Sequence, residues 1–291
     1  MTTAPDTPRS LAVPQSRAAR LARLGALTTG IAGGMAAEAA RRLSAGERPR
    51  ARDLLLTPAN ARRVADRLAQ IRGAAMKVGQ LISMEGGDVL PAEWAAVLSR
   101  LRDQADFMPP KQLKQVLTAE WGADFLKHFK RFDVRPIAAA SIGQVHKAET
   151  KDGRHLAIKV QYPGVARSID SDVDNVYGLI RMSGLTPKGL NLGPLMEEAK
   201  RQLHEEADYE REARYLTRYA AHVAEDDAFA TPAAHMDLTT KRILAMSFVP
   251  GAPIEALADA SQADRARAVG LLMDLLLRAV DGMSYDELAE V

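Results

Sequence analysis

The chain has 291 residues, 47% hydrophobic and 26% charged, enough apolar mass for one large or two ordinary domains, and its lack of cysteine excludes disulfide frameworks and cysteine-based zinc sites. The formal net charge of +2 conceals an asymmetry: residues 1–72 hold thirteen Arg, no Lys and five acids, a surplus of eight, leaving −6 for the remainder. A basic, alanine-rich leader without a nucleic-acid-binding motif points to an anionic membrane surface ahead of nucleic acid.

Residues 1–15, with prolines at 5, 8 and 14 and no periodicity, read as a disordered leader. Residues 16–56 follow as a basic helix of small residues. Its longest uncharged run, Leu24 to Ala37, is too short and too diluted by Thr and Gly to span a bilayer, and the start does not read as a secretory signal. Gly30 and Gly34 make a G-x-x-x-G spacing that fits either helix pairing or a flexible interfacial helix. From Thr57 to Met84, Val64, Leu68, Ile71, Ala75, Val78 and Ile82 recur at alternating steps of four and three, one apolar stripe on a long helix. Beside the stripe lie Lys77, Gly79 and Gln80 in a K-x-G-Q word, with Lys77 and Gln80 on one side of the helix. Taken alone, this word reads as a solvated Lys and Gln beside a helix-weakening glycine. Glu85 to Pro91 breaks the helix. Ala92 to Arg102, with Trp94, Val97, Leu98 and Leu101 inward, and Lys111 to Trp121, opened by Pro109 and Pro110, complete a helical extension over 57–130.

At Phe132 the pattern changes to strand, through Val134 and Ile137 into an Ala-rich loop, then Val145 and Ala148. Ala138, Ala140, Gly143 and Val145 fall at the positions of the kinase nucleotide loop G-x-G-x-x-G-x-V, and Leu156-Ala157-Ile158-Lys159 falls at V-A-I-K. Alanine in place of glycine keeps the smallness that lets backbone N–H groups approach a phosphate but loses easy positive φ. Asp152-Gly153 is a hairpin turn signal. Strand alternation then puts Leu156, Ile158 and Val160 on one face and Ala157, Lys159 and Gln161 on the other. A lysine pointing from a strand into a cleft needs anions to meet, and a nucleotide phosphate and a helix carboxylate would supply two. Pro194 to Ala224 reads as one long acidic helix, on which Asp208 and Glu212 share a face and Glu206 does not. Thr231–Leu238 and Arg242–Val249 read as two further strands, Met246 to Gly251 as a hinge whose backbone would receive adenine, and Asp264–Val280 as one more apolar helix. The expected fold is α+β: a protein-kinase-like small lobe at 131–250, with a five-stranded antiparallel sheet and a long helix, preceded by the helical extension. Residues 251–291 would be the hinge and the start of a helical large lobe.

These residues together resemble the UbiB/AarF/ADCK group of atypical kinase-like proteins, associated with ubiquinone biosynthesis and lipid metabolism. The resemblance rests on four motifs in order: K-x-G-Q at Lys77–Gln80, AAASIGQVH at Ala138–His146, KVQYPGV at Lys159–Val165 and EADYEREA at Glu206–Ala213. It covers roughly residues 16 to 278, including the leader VPQSRAARLARLG. It implies that the K-x-G-Q helix folds over a nucleotide cleft, with Lys77, Gly79, Gln80, Glu206 and Asp208 as a regulatory set in which Lys77 reaches the two acids. It further implies that Lys159 pairs with Glu212 and with the phosphates of ATP or ADP. The rest of the implied nucleotide site is Ala138, Ala139, Ala140, Ser141, Ile142, Gly143, Val145 and Ala157, with Met246, Phe248 and Val249 of the hinge. A quinone or isoprenoid lipid, an anionic membrane surface and quinone-biosynthesis proteins are the implied partners, without nucleic acid, in a cytoplasmic, membrane-peripheral and bacterial setting.

One departure accompanies the matches. Phosphoryl transfer needs a catalytic-loop Asp, an Asn and a second Asp for Mg²⁺, and no D-F-G occurs in the chain. The one His-x-Asp, His235-Met236-Asp237, lies ahead of the hinge and cannot be the catalytic loop. The expectation is therefore a truncated or frame-shifted chain that binds nucleotide but is catalytically incomplete. A nucleotide-sensing pseudokinase and a membrane adaptor are the alternatives.

Overall fold

The computed structural model describes residues 33, 34, 36–44, 46, 72–86, 107–183 and 191–282. Gly30, the stripe positions before residue 72 and the expected helix at 92–102 lie outside these. The described residues divide into two compact units, one holding those up to Val116 with Val134–Val145 and Val160–Ala207, the other Leu117–Asp133, His146–Lys159 and the residues from Asp208 onward.

The first unit is built on three helices that pack against one another: α1 (Arg72–Gly86), which carries K-x-G-Q, then α3 (Ile169–Ser183) and α4 (Leu192–Glu206). Between α1 and α3 in the chain comes α2 (Pro110–Trp121). The apolar stripe explains the packing, since Ala75, Val78 and Ile82 of α1 are buried, joined by Ala74 and Leu81. They share a core with Val173, Val176 and Ile180 of α3 and Leu195, Met196, Ala199 and Leu203 of α4. Asn191 caps α4, its side chain accepting from the Gly193 N–H at 3.1 Å.

The second unit is organised by strands. β1 (Phe129–Phe132), β3 (Gly143–Thr150), β4 (His155–Gln161) and β5 (Ile243–Ser247) are neighbours in that order. The opening residues of β3, Gly143–Val145, belong to the first unit, and short β2 (Ala138–Ala139) of the same unit pairs antiparallel with them, Ala138 opposite Val145 and Ala139 opposite Gln144. The five strands are the antiparallel sheet of the expected fold. β3 turns into β4 at Asp152-Gly153, where Gly153 adopts φ +91°, a conformation an L side chain resists. Leu156 and Ile158 of β4 are fully buried, as are Ile243, Leu244 and Ala245 of β5. An aromatic row runs along the edge, with Trp121 and Phe129 ring centres 5.4 Å apart, Phe129 and Phe132 also 5.4 Å apart, and His146 stacked on Phe132 at 5.6 Å.

Three sequence expectations change. The first strand begins at Phe129, and Val134 and Ile137 are not inward strand residues, each being 51% exposed in a bend. Residues 231–238 form no strand: Ala234 makes one bridge with Met246, and the Leu238 N–H then turns back to the His235 carbonyl at 3.1 Å. Pro232 has no N–H to give a ladder, and the turn carries Asp237 into a two-bond grip on Arg154, at 3.1 and 3.0 Å. Finally, the acidic stretch from Pro194 is two helices. It breaks at Ala207-Asp208, where the Asp208 backbone is extended (φ −104°, ψ 91°) and its carboxylate accepts the Arg211 N–H at 3.1 Å, capping α5 (Tyr209–Val223). The last helix, α6 (Gln262–Gly282), keeps Val269, Leu272, Met273, Leu276 and Leu277 substantially exposed.

Candidate functional site

In the second unit, β4 presents Lys159 toward the first turn of α5. Lys159 Nζ donates to both oxygens of Glu212, at 2.7 and 2.9 Å, and lies 4.8 Å from the centre of the buried Tyr209 ring. The lysine side chain is only 14% exposed. An ammonium has three N–H donors, so Glu212 takes two and one remains directable to an anion. The cap at Asp208 sets this geometry, because it starts α5 four residues before Glu212 and places that glutamate in the first turn. A carboxylate there is favoured by the helix N-terminus. Asp208 thus works as a helix cap in the second unit.

The hinge candidates follow β5. Phe248 N–H donates to the His155 carbonyl at 2.9 Å, and the Lys147 ammonium lies 4.2 Å over the Phe248 ring. Met246 is half-buried at the end of β5 and Val249 is exposed beyond it. Ala157 of β4 is buried. His235 and Asp237, the H-x-D pair, face Arg154: His235 Nδ1 is 3.2 Å from its guanidinium, and Asp237 beside it is held below the usual carboxylate range by that cation. Through Arg154 they tie down the β3–β4 hairpin.

In the first unit, the Ala-rich loop from Ala138 to Gly143 is a closed turn. Ala140 N–H donates to the Gly143 carbonyl at 2.8 Å, Ile137 N–H to the Val145 carbonyl at 2.8 Å, and Tyr162 N–H to the Ile142 carbonyl at 2.9 Å. Ile142, Gly143 and the neighbouring Gln144 are buried, while Ala139, Ala140, Ser141 and Val145 are half-buried and Ala138 is exposed. Gln144 anchors the loop from below, its Oε1 accepting the Met108 N–H at 2.9 Å. Ser141 donates its hydroxyl hydrogen to Glu206 Oε1 at the end of α4. Lys77 Nζ stands 3.9 Å from the other oxygen of the same carboxylate. Gly79 is buried in α1 and Gln80 is exposed. The sequence pointed to Lys77 and Glu206 but not to Ser141 as their third member, since a serine in a loop carries no periodic signal.

Among the described residues no cluster of three or more His, Asp or Glu could hold a metal ion, and no helix is long and apolar enough to cross a membrane.

A family model, the ABC1 atypical kinase-like domain, matches residues 100–281. The atypical kinase coq-8, mitochondrial, of Caenorhabditis elegans is 39% identical over 273 residues, covering 92% of this chain and 36% of its own length. The atypical kinase COQ8, mitochondrial, of Saccharomyces cerevisiae is 39% identical over 280 residues, 96% of this chain and 56% of its own length. For COQ8B, mitochondrial, of Rattus norvegicus the figures are 38% over 275 residues, 94% and 52%. The chain therefore spans between 36% and 56% of these relatives. Among solved structures, Rv3197 in complex with erythromycin, from Mycobacterium tuberculosis, aligns at a TM-score of 0.45 and 27% identity over 70% of this chain and 52% of that one. The expected cytoplasmic, bacterial setting is overturned by the relatives, which are mitochondrial proteins of a nematode, a yeast and a rat.

Proposed function

Since the chain belongs to the ABC1 atypical kinase-like family, we propose that it binds an adenine nucleotide, ATP or ADP, with Lys159 as the phosphate anchor and Glu212 as the group that aims it. The observation that carries this reading is the two-oxygen grip of Glu212 on Lys159 Nζ. It fixes the ammonium on a buried strand and leaves one N–H for a phosphate oxygen, which is the task of the strand lysine and helix glutamate in kinase chemistry. Within the first unit, the loop Ala138 to Gly143 supports the reading by its small side chains, which leave room for a phosphate to come close to the backbone. Val145 and Ala157 are the small apolar contacts proposed for the base, and the backbone of Met246, Phe248 and Val249 is proposed to recognise its edge.

Mg²⁺ is assigned no step here. With no D-F-G in the chain, the behaviour expected of these 291 residues is binding without turnover. Within this reading a quinone or isoprenoid lipid, an anionic membrane surface and quinone-biosynthesis proteins are the proposed partners.

Calorimetric titration of Mg-ATP and Mg-ADP tests the nucleotide claim. Saturable binding by the wild type that weakens at least about tenfold in Lys159→Ala, a loss of about 1.4 kcal/mol, supports it. Equal binding by both proteins refutes the role of Lys159. ATP hydrolysis above background by the pure chain contradicts the expectation of binding without turnover.

A further inference from the structure

Helix α1 meets the Ala-rich loop at a point where a side chain has no room. A Cβ on Gly73 would lie 2.9 Å from Ile142 Cγ2 and 3.1 Å from the Ser141 carbonyl oxygen. Such separations force a neighbour to move, and neither neighbour is a flexible side-chain end. Ile142 is 1% exposed and its carbonyl is already engaged by the Tyr162 N–H. The Ser141 carbonyl belongs to the turn closed by the Ala140–Gly143 hydrogen bond, and the Ser141 side chain is tied to Glu206. Residues 140–143 are thus held on three sides: by the backbone of α1 at Gly73, by the residue after β4 at Tyr162, and by the end of α4 at Glu206. Glycine weakens a helix, yet Gly73 stands one residue into α1, where the helix touches the loop.

We propose that Gly73 is the seat that fixes the Ala-rich loop in its nucleotide-receiving shape, so that α1 supplies from outside the backbone definition that this alanine-rich loop does not take from glycines of its own. Ser141 and Glu206 are the polar latch of the same seat, and Gly73 is a positioning residue. The inference rests on the reading of this loop as the nucleotide loop, and it deepens that reading by naming what holds the loop in place.

The test uses Gly73→Ala, Ile142→Leu and the double variant in the full chain. Leucine keeps the volume of isoleucine but removes the β-branch, and with it the Cγ2 that the new methyl would strike. In Gly73→Ala, backbone hydrogen exchange at Ala140 and Tyr162 is expected to rise about tenfold or more, and Mg-ADP affinity to fall about fivefold or more through lost pre-organisation. Thermal stability should fall, although alanine ordinarily strengthens a helix. The double variant should regain part of what Gly73→Ala loses, since removing Cγ2 relieves the 2.9 Å contact and leaves the 3.1 Å one with the Ser141 carbonyl. Unchanged exchange in Gly73→Ala, or no recovery in the double variant, overturns the seat. Faster exchange with unchanged affinity overturns its bearing on nucleotide. If the wild type binds no nucleotide, the function reading falls, and the link of the seat to nucleotide falls with it, while the exchange data still decide whether Gly73 holds the loop.

Discussion

Two lysine–glutamate pairs, one in each compact unit, use the same two side chains in different ways. Lys159 and Glu212 meet at 2.7 and 2.9 Å, with the lysine on a strand whose Leu156 and Ile158 are fully buried and the glutamate in the first turn of a capped helix. Lys77 and Glu206 stand 3.9 Å apart, the carboxylate shared with the Ser141 hydroxyl. At 3.9 Å an ion pair is a Coulombic neighbour and no longer a hydrogen bond. The first pair therefore defines where a charge points. The second biases an arrangement that packing at Ala74, Val78 and Gly73 already specifies.

The largest expected effect attacks the scaffold of the first pair. Ile158→Ala, beside Lys159 and fully buried, should cost about 2–5 kcal/mol in denaturant unfolding; a loss under about 1 kcal/mol would mean that β4 is not the rigid base described here. Next comes Glu212→Gln, which keeps the shape but leaves the mostly buried Lys159 ammonium without its counter-charge. Stability should drop by about 1–3 kcal/mol, and Mg-ATP affinity by several-fold, measured on the same preparation. Lys77→Ala should change stability by less than about 1 kcal/mol, the range of part-exposed ion pairs. A larger loss would place the two pairs in one class and dissolve the comparison.

The smallest effect concerns pH. His146 is fully buried, its Nδ1 is 2.8 Å from the Asp133 carbonyl, and burial lowers its pKa from the ordinary 6.5. Its folded form is neutral where the unfolded chain would be protonated, so it contributes stability that is complete above about pH 6.5 and is lost as pH falls below that value. His146→Gln should flatten the decline of the thermal midpoint on the acid side of pH 6.5, and an unchanged slope would show that other groups set it.

Much of this fold was legible from local signals. The α1 stripe appears as buried Ala75, Val78 and Ile82, the Asp152-Gly153 signal as a turn with φ +91°, and Pro110 as the start of α2. Lys159 is identifiable from kinase spacing, whereas its pairing with Glu212 follows only from the family resemblance, because chain order alone admits several glutamates of the same stretch. The break at Asp208 escapes a reading of the acidic stretch as one continuous helix, although Asp at an N-cap is the available sign. Residues 231–238 misled because short apolar runs resemble strands when the turn that ends them is set by a partner far off in sequence, here Arg154. The contact of Gly73 with Ser141 and Ile142 was out of reach for the same reason: residues so far apart leave no periodic trace of their contact.

The most direct test of the account is a side-by-side titration of Mg-ATP into the wild type, Lys159→Ala and Lys77→Ala. The account predicts a loss of at least about tenfold in the first variant and less than about threefold in the second. Equal losses in the two variants, or a larger loss in Lys77→Ala, would contradict the claim that the Lys159–Glu212 pair is the phosphate anchor of this protein.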